Sequence, residues 1–265
     1  MPSLIGFAAT APFGADVLEG LAALQEIAFC LTRPDRPAGR GRRLDPPPAK
    51  VAAEKLGIPV LQPEQLDDTV EFPTDTIVTC AYGAIVPAGL LARHLWLNVH
   101  PSLLPRWRGA APVERAILAG DTETGVTVIK LTEELDAGPI AAQQAFRIAA
   151  DDDAGAVYRR SAEIAVSLLD DVLENPVFRD QADEGTTYAE KLTAADRELD
   201  LAEAEESLRR IRALSPHIGA RAELDGRGVT IWQARIEDGK LVPEIVQQDG
   251  RRSMAYEDFR RGLRA

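Results

Sequence analysis

The first 150 residues of the chain alternate short apolar, β-branched runs with stretches of helical pattern. This alternation is the signature of a mostly parallel sheet whose strands are joined by helices. The predicted strands cover residues 4–8, 27–31, 77–81, 97–100, 125–131 and 140–146. The predicted helices cover residues 15–23, 46–56, 87–93, 112–119 and 154–173. The expected fold class is therefore α/β.

The composition shifts toward a linker after residue 175 and then toward a second, smaller region. A short helix is predicted over residues 201–214, followed by strands over 220–224, 228–234 and 241–247. We therefore expect a large α/β domain at 1–182, a linker at 183–200 and a small β-rich domain at 201–265.

Composition excludes several classes of protein. The 265 residues are 45% hydrophobic and 27% charged, which is enough apolar material for a folded core. No apolar run reaches the length of a membrane span, and the N-terminus lacks the features of a secretory signal. Cys30 and Cys80 are expected to be reduced, buried thiols, which favours the cytoplasm. With three histidines in the sequence, we expect no metal site.

The net charge of −12 is concentrated in one segment. Residues 151–206 hold 17 acidic and 5 basic residues, so the rest of the chain is neutral in sum. The overall charge argues against broad, non-specific binding to DNA. We expect a monomer that binds neither DNA nor membranes. Local phosphate contacts are still possible, because a Gly- and Pro-rich stretch at 37–43, predicted to be a surface loop, is dense in arginine.

Asn98 and His100 lie two residues apart on a predicted strand, so their side chains project from the same face. Pro101 ends the strand directly after them, and ligands of open α/β sheets bind at this carboxyl end. An amide donor beside an imidazole can polarise a carbonyl and stabilise an oxyanion. The spacing leaves open an alternative, a turn-capping asparagine beside a hydrogen-bonded histidine.

Two loops near this strand are further candidates. Residues 102–112 form a rigid, partly apolar connection that can wall a pocket for a flat aromatic ligand. Asp136 lies in a turn two residues before Gly138, a pattern typical of a turn-forming aspartate. Its functional alternative is a carboxylate that orients and charges His100.

The run NVHPSLLPRWRGAAPVERAILAGDTETGVTVIKLTEELDAGPI, residues 98–140, strongly resembles the formyltransferase family that uses 10-formyltetrahydrofolate. The asparagine, histidine and aspartate triplet is shared across that family. The strings SLLPRWRGAAP, TRPDRPAGRGRRL, TYAEKL and IRALSP resemble more narrowly its tRNA-acting members. The similarity is recognisable from about residue 4 to the C-terminus.

The resemblance implies a Rossmann-like domain with helices on both faces of its sheet, followed by a small, open, OB-like β-barrel. It implies metal-free formyl transfer from 10-formyltetrahydrofolate to the α-amine of methionyl-initiator tRNA. The implied catalytic residues are Asn98, His100 and Asp136. The implied folate loop comprises Ser102, Leu103, Leu104 and Pro105. The implied tRNA contacts are Arg36, Arg40, Arg42 and Arg43, together with Lys191 in the linker.

The C-terminal domain looks shorter than the family pattern by about a pair of strands, which bears on tRNA engagement more than on catalysis. Three alternatives stay open: a sugar-nucleotide N-formyltransferase, a non-catalytic folate-binding relic and a generic NAD-binding protein. The basic loop and the TYAEKL and IRALSP strings argue against the first. The complete triplet beside the folate loop argues against the second. No G-x-G-x-x-G follows the first strand, which argues against the third.

Overall fold

The structure, a computed structural model, describes residues 4–38 and 43–263. Its strands, in chain order from β1 to β15, are Leu4–Ala9, Glu26–Leu31, Arg36–Ala38, Arg43–Asp45, Val60–Leu61, Thr76–Cys80, Leu95–His100, Arg108–Gly109, Glu123–Lys130, Ile140–Arg147, Tyr188–Ala189, Ala220–Leu224, Arg227–Glu237, Lys240–Gln248 and Met254–Ala255. Its α-helices, from α1 to α7, are Pro12–Leu21, Pro48–Lys55, Ala88–Arg93, Pro112–Ala119, Ala154–Glu174, Ala204–Leu214 and Tyr256–Leu263. A 3-10 helix covers Ala195–Arg197.

The central sheet has seven strands in the order β10-β9-β7-β6-β1-β2-β5. Strand β1 pairs in parallel with β2 and with β6, β2 with β5, and β6 with β7. Strand β9 is antiparallel to β7. The mostly parallel α/β sheet predicted from the sequence is therefore confirmed. Parallel pairing of β6 and β7 brings their carboxyl ends to one edge, with Thr79 in register with Asn98.

Apolar side chains from the strands and their connections form the core of this sheet. The ring of Phe72 stacks on Phe29 at 5.0 Å and contacts Trp96 edge-on at 5.8 Å. The indole of Trp96 donates to the carbonyl of Leu90, so its one polar atom is satisfied at 1% exposure. Burial of this aromatic surface stabilises the sheet.

The chain forms two compact units that are interleaved along the sequence, whereas the predicted domains are continuous. One unit comprises Met1–Arg108, Gly125–Ala145 and Arg159–Thr187. The other comprises Gly109–Thr124, Phe146–Tyr158 and Tyr188–Ala265. Helix α4 belongs to the second unit because it packs against α6.

The second unit is built on an antiparallel sheet in the order β12-β13-β14-β15. The β-rich C-terminal region predicted from the sequence is thus confirmed. Helices α6 and α7 pack on this sheet. Its core is made of buried apolar side chains from both layers: Ile211, Leu214, Ala220, Val229, Ile231, Val246 and Phe259.

Most predicted elements are present, with shifted ends. Helix α4 has the predicted bounds, because Pro112 occupies its first turn and Gly120 ends it in the left-handed conformation, at φ +77°. Helix α1 begins at Pro12 rather than at residue 15. The prediction of a loop at 37–43 is wrong at both ends of that segment, since strand Arg36–Ala38 pairs antiparallel with strand Arg43–Asp45.

Both cysteines of the sequence lie in the central sheet. Cys30 and Cys80 are free and buried, as predicted, and lie on β2 and β6, the two neighbours of β1 in the sheet. Burial raises the pKa of the Cys30 thiol to about 12. Within residues 4–38 and 43–263, no helix is long and apolar enough to cross a membrane.

Candidate active site

The side chains of Asn98 and His100 both lie at the carboxyl end of β7, where Pro101 follows the strand. Thr79, on the neighbouring strand β6, donates from Oγ1 to Asn98 Oδ1 at 2.7 Å. Because the amide oxygen is engaged in this way, Asn98 Nδ2 faces the other direction. It donates to Asp136 Oδ1 at 3.4 Å.

Asp136 lies in the turn between β9 and β10 and is 9% exposed. Its backbone has φ +49°, a conformation that a non-glycine residue adopts at some energetic cost. The turn approaches β9 closely: a Cβ atom on Gly138 would lie 1.8 Å from the carbonyl oxygen of Lys130. A glycine is therefore required two residues after the aspartate.

His100 lies between two oxygen atoms. Its Nε2 is 2.8 Å from the carbonyl oxygen of Trp107, so this nitrogen carries a hydrogen. Its Nδ1 faces Asp136 Oδ2 at 3.7 Å. The ring is 4% exposed, so its two nitrogen-bearing edges lie between a backbone carbonyl and a carboxylate with little access to water.

The structure thus brings Asn98, His100 and Asp136 together, although 36 residues separate the last two in the sequence. This arrangement provides two kinds of chemical group. The amide supplies a fixed hydrogen-bond donor, and the imidazole and carboxylate can together hold or release a proton.

The loop predicted to bind folate is held rigidly from within the same unit. Thr127 donates from Oγ1 to the carbonyl of Ser102 at 2.6 Å and accepts from the backbone N–H of Leu104 at 3.2 Å. Gln143 donates from Nε2 to the carbonyl of Leu104 and to Thr127 Oγ1, at 2.9 and 2.8 Å. Ser102 is fully buried, while Leu103 and Pro105 are partly exposed.

The remaining predicted residues are spread over both units. Arg36 is exposed at the start of β3 and lines a cavity of about 480 Å³. Arg40 and Arg42 lie outside the described residues, and of Arg43 the structure describes only the backbone, in β4. Lys191 is exposed in the second unit, where its carbonyl accepts a hydrogen bond from Arg115 Nη2 at 3.2 Å.

Several supporting side chains were not predicted from the sequence. Thr79 is the penultimate residue of the buried strand β6, beside Asn98, and its position near a strand end was an available signal. Thr127 and Gln143 support the loop from β9 and β10. Arg108 and Gln181 flank the Asp136 turn, and no local pattern relates either to that turn. In the ranges that the structure describes, no cluster of three or more His, Cys, Asp or Glu could hold a metal ion.

The comparison with protein families identifies the class. A model of the family described as formyl transferase matches residues 8–173, well over half of the chain. The chain belongs to the formyl transferase family. Among similar curated proteins, the methionyl-tRNA formyltransferase of Halorhodospira halophila is 44% identical over 255 residues. That alignment covers 91% of this chain and 82% of the relative.

Solved structures agree with this fold. The methionyl-tRNA formyltransferase from Clostridium thermocellum has a TM-score of 0.65 at 15% identity, covering 94% of this chain and 99% of that one. HypX from Aquifex aeolicus in complex with tetrahydrofolic acid has a TM-score of 0.69 at 17% identity. The match covers 97% of this chain, which spans about half of HypX, 46%. At these identities the likeness establishes the fold alone.

Proposed function

We propose that this chain transfers the formyl group of 10-formyltetrahydrofolate to the α-amino group of methionyl-initiator tRNA. The observation that carries the proposal is the convergence of Asn98, His100 and Asp136 at one strand end, in a chain 44% identical to a methionyl-tRNA formyltransferase. The name of the relative indicates methionyl-tRNA as the acceptor of the formyl group, and the three side chains supply chemistry that suits an amine and a formyl amide.

In the proposed reaction the substrate amine attacks the formyl carbon and forms a tetrahedral intermediate. Asn98 donates from Nδ2 to the developing oxyanion, since Thr79 engages the amide oxygen. His100 donates to the same oxyanion from Nδ1, because Nε2 is already bonded to the carbonyl of Trp107. Asp136 favours the imidazolium form and helps to remove the amine proton through water. As the intermediate collapses, the carbon–nitrogen bond to the folate breaks and the folate nitrogen takes a proton.

We place the folate along Ser102, Leu103, Leu104 and Pro105. This short loop combines apolar side chains with backbone groups that two neighbouring strands hold in place. A fixed loop loses little conformational entropy on binding, which favours recognition of a rigid, flat ring system. The folate is a substrate here, and the chemistry of the site requires no metal ion.

We assign the tRNA contacts to the arginine-rich segment 36–43, with Arg36, Arg40, Arg42 and Arg43, and to Lys191. Basic side chains on an otherwise acidic protein favour local contacts with phosphate. We further propose that the protein is a monomer. We place it in the cytoplasm, since two buried, free thiols fit a reducing compartment.

One assay tests the proposal and its main competitor. The chain is incubated with 10-formyltetrahydrofolate and either charged initiator tRNA or an amino-sugar nucleotide, and the product is identified by mass. Formylated methionyl-tRNA is the expected product. Formylation of the sugar nucleotide alone would replace the proposal with a sugar N-formyltransferase. Folate binding without transfer to either amine would leave a folate-binding relic.

The arginine-rich segment 36–43 is tested separately, with a variant in which Arg36, Arg40, Arg42 and Arg43 are all changed to glutamine. We expect a raised KM for tRNA and a flatter salt dependence, with the slope reduced by roughly one for each lost phosphate contact. Folate affinity and activity on a minimal aminoacyl substrate should stay unchanged. Normal formylation of tRNA at both low and high salt would remove the arginine-rich segment from the mechanism.

A further inference from the structure

The side-chain amide of Gln181 lies between a buried arginine and the turn that carries Asp136. Gln181 Nε2 donates to the carbonyl of Asp136 and to the carbonyl of Gly138, each at 2.8 Å. Gln181 Oε1 accepts from Arg108 Nε at 3.1 Å and from Arg108 Nη2 at 2.8 Å. All the polar atoms of this amide are therefore engaged, and its orientation is fixed by its partners.

Only an amide fits this position. A reversed amide would place its oxygen against two carbonyl oxygens and its NH₂ group against a guanidinium. A carboxylate would keep the bonds to Arg108 but lose both donors to the turn. The surroundings add to the constraint, since Arg108 is 9% exposed and a buried hydrogen bond is costly to leave unmade.

The backbone holds Gln181 at this point. Arg179 and Ile140 exchange hydrogen bonds, at 2.7 Å from the N–H of Ile140 and 2.9 Å from that of Arg179. This isolated bridge lies two residues before Gln181 and joins its segment to the first residue of β10. The amide is thereby fixed relative to the turn that β10 follows.

These contacts close a ring around the catalytic pair. The carbonyl of Trp107 binds His100 Nε2, and the next residue, Arg108, binds Gln181. Gln181 then binds the backbone of Asp136, whose carboxylate faces His100 Nδ1 at 3.7 Å. The imidazole and the carboxylate are thus linked through hydrogen bonds and the peptide bond between Trp107 and Arg108.

We infer that Gln181, held by Arg108, is a positioning residue that sets the distance and orientation between Asp136 and His100. The inference rests on the proposed function, because it gives Gln181 an effect on rate only through the role of Asp136. The strained backbone of Asp136, at φ +49°, is the element that the amide restrains. Releasing it lets the carboxylate move, and a displacement of about 1 Å at a reacting group costs up to about 100-fold in rate.

The test compares Gln181→Glu, which is nearly isosteric, with Gln144→Glu, which adds the same charge at an exposed position of β10. We expect Gln181→Glu to lower kcat by about 10- to 100-fold while KM for folate and tRNA changes less than about threefold. Gln144→Glu should retain the wild-type kcat. Gln181→Met removes the same donors without adding charge and should lower kcat similarly, so it replaces the glutamate variant if that one does not fold.

A double-mutant cycle with Asp136→Asn separates positioning from a general structural role. If Gln181 acts through Asp136, Gln181→Glu should cost less than about threefold in kcat once Asp136 is already asparagine. An equal loss in both backgrounds would overturn the inference, as would a wild-type kcat in Gln181→Glu. Failure of the proposed function is distinguishable, because the unmodified chain would then not formylate charged tRNA at all.

Discussion

Replacing Thr79 with valine tests whether the amide of Asn98 must be held in one orientation. Thr79 donates a 2.7 Å hydrogen bond to Asn98 Oδ1 and is 3% exposed. Valine keeps the shape of the side chain and removes only the donor. The amide of Asn98 can then rotate by half a turn and present its oxygen, instead of Nδ2, to the developing oxyanion.

The expected magnitude follows from the strength of that one bond. A neutral hydrogen bond contributes about 0.5–1.5 kcal/mol net. Since about 1.4 kcal/mol corresponds to a tenfold change in rate, Thr79→Val should lower kcat by about 2- to 12-fold. This loss is milder than the roughly 10²- to 10³-fold expected for Asn98→Ala or His100→Ala, which remove groups that act on the oxyanion directly.

The assay is steady-state formylation of charged initiator tRNA with both substrates saturating, so that it measures kcat, and Thr79→Ser is the matched control. Serine keeps the hydroxyl and loses one methyl group, so it should lower the melting temperature while keeping kcat within about twofold. The reasoning is refuted if the valine variant retains full kcat, or if the serine variant loses as much activity as valine does.

Three other substitutions test separate parts of the molecule. Asp136→Asn should lower kcat by about 100-fold or more with little change in melting temperature, and wild-type rates across about pH 6–9 would reduce Asp136 to a turn former. Burial raises the pKa of Asp196, but hydrogen bonds from Arg115 and Thr193 outweigh it and lower that pKa to about 2. Urea unfolding should therefore show Asp196→Asn less stable by about 1 kcal/mol at neutral pH, a gap that closes as pH falls from about 4 to 2. Burial raises the pKa of Glu114, so its charged form destabilises the folded state at neutral pH. Glu114→Gln should therefore be more stable than wild type at pH 7 in urea unfolding, and this gain should shrink as the pH falls toward about 4. Equal gains at both pH values would contradict this.

The parts of the site that lie on one regular element could be predicted from the sequence. Asn98 and His100 share a face because a strand has a period of two residues, and Pro101 marks its end. The bounds of helix α4 follow from Pro112 and Gly120, whose backbone preferences act locally. The proximity of Asp136 to His100 could be predicted only from the family resemblance, because an aspartate in a turn has by itself no preferred distant partner.

The supporting contacts could not be predicted, since each joins segments far apart in the chain. Gln181 and Asp136 are separated by 45 residues, and the composition of the segment around Gln181 predicts the start of a linker. The pairing of Arg36–Ala38 with Arg43–Asp45 was hidden by a composition typical of loops. In both cases tertiary contacts decide a conformation that local preference leaves open.

The buried thiol of Cys30 can report local opening of the central sheet. The thiolate is the species that alkylating reagents attack, and with a pKa of about 12 only about one Cys30 side chain in 10⁵ is ionised at neutral pH. Cys80 is fully buried as well, and burial raises its pKa. Because these are the only two cysteines of the sequence, slow labelling by a maleimide would count openings of the strands on either side of β1. The same property makes a cysteine introduced at the surface the sole fast-reacting thiol, available for a dye or a spin label.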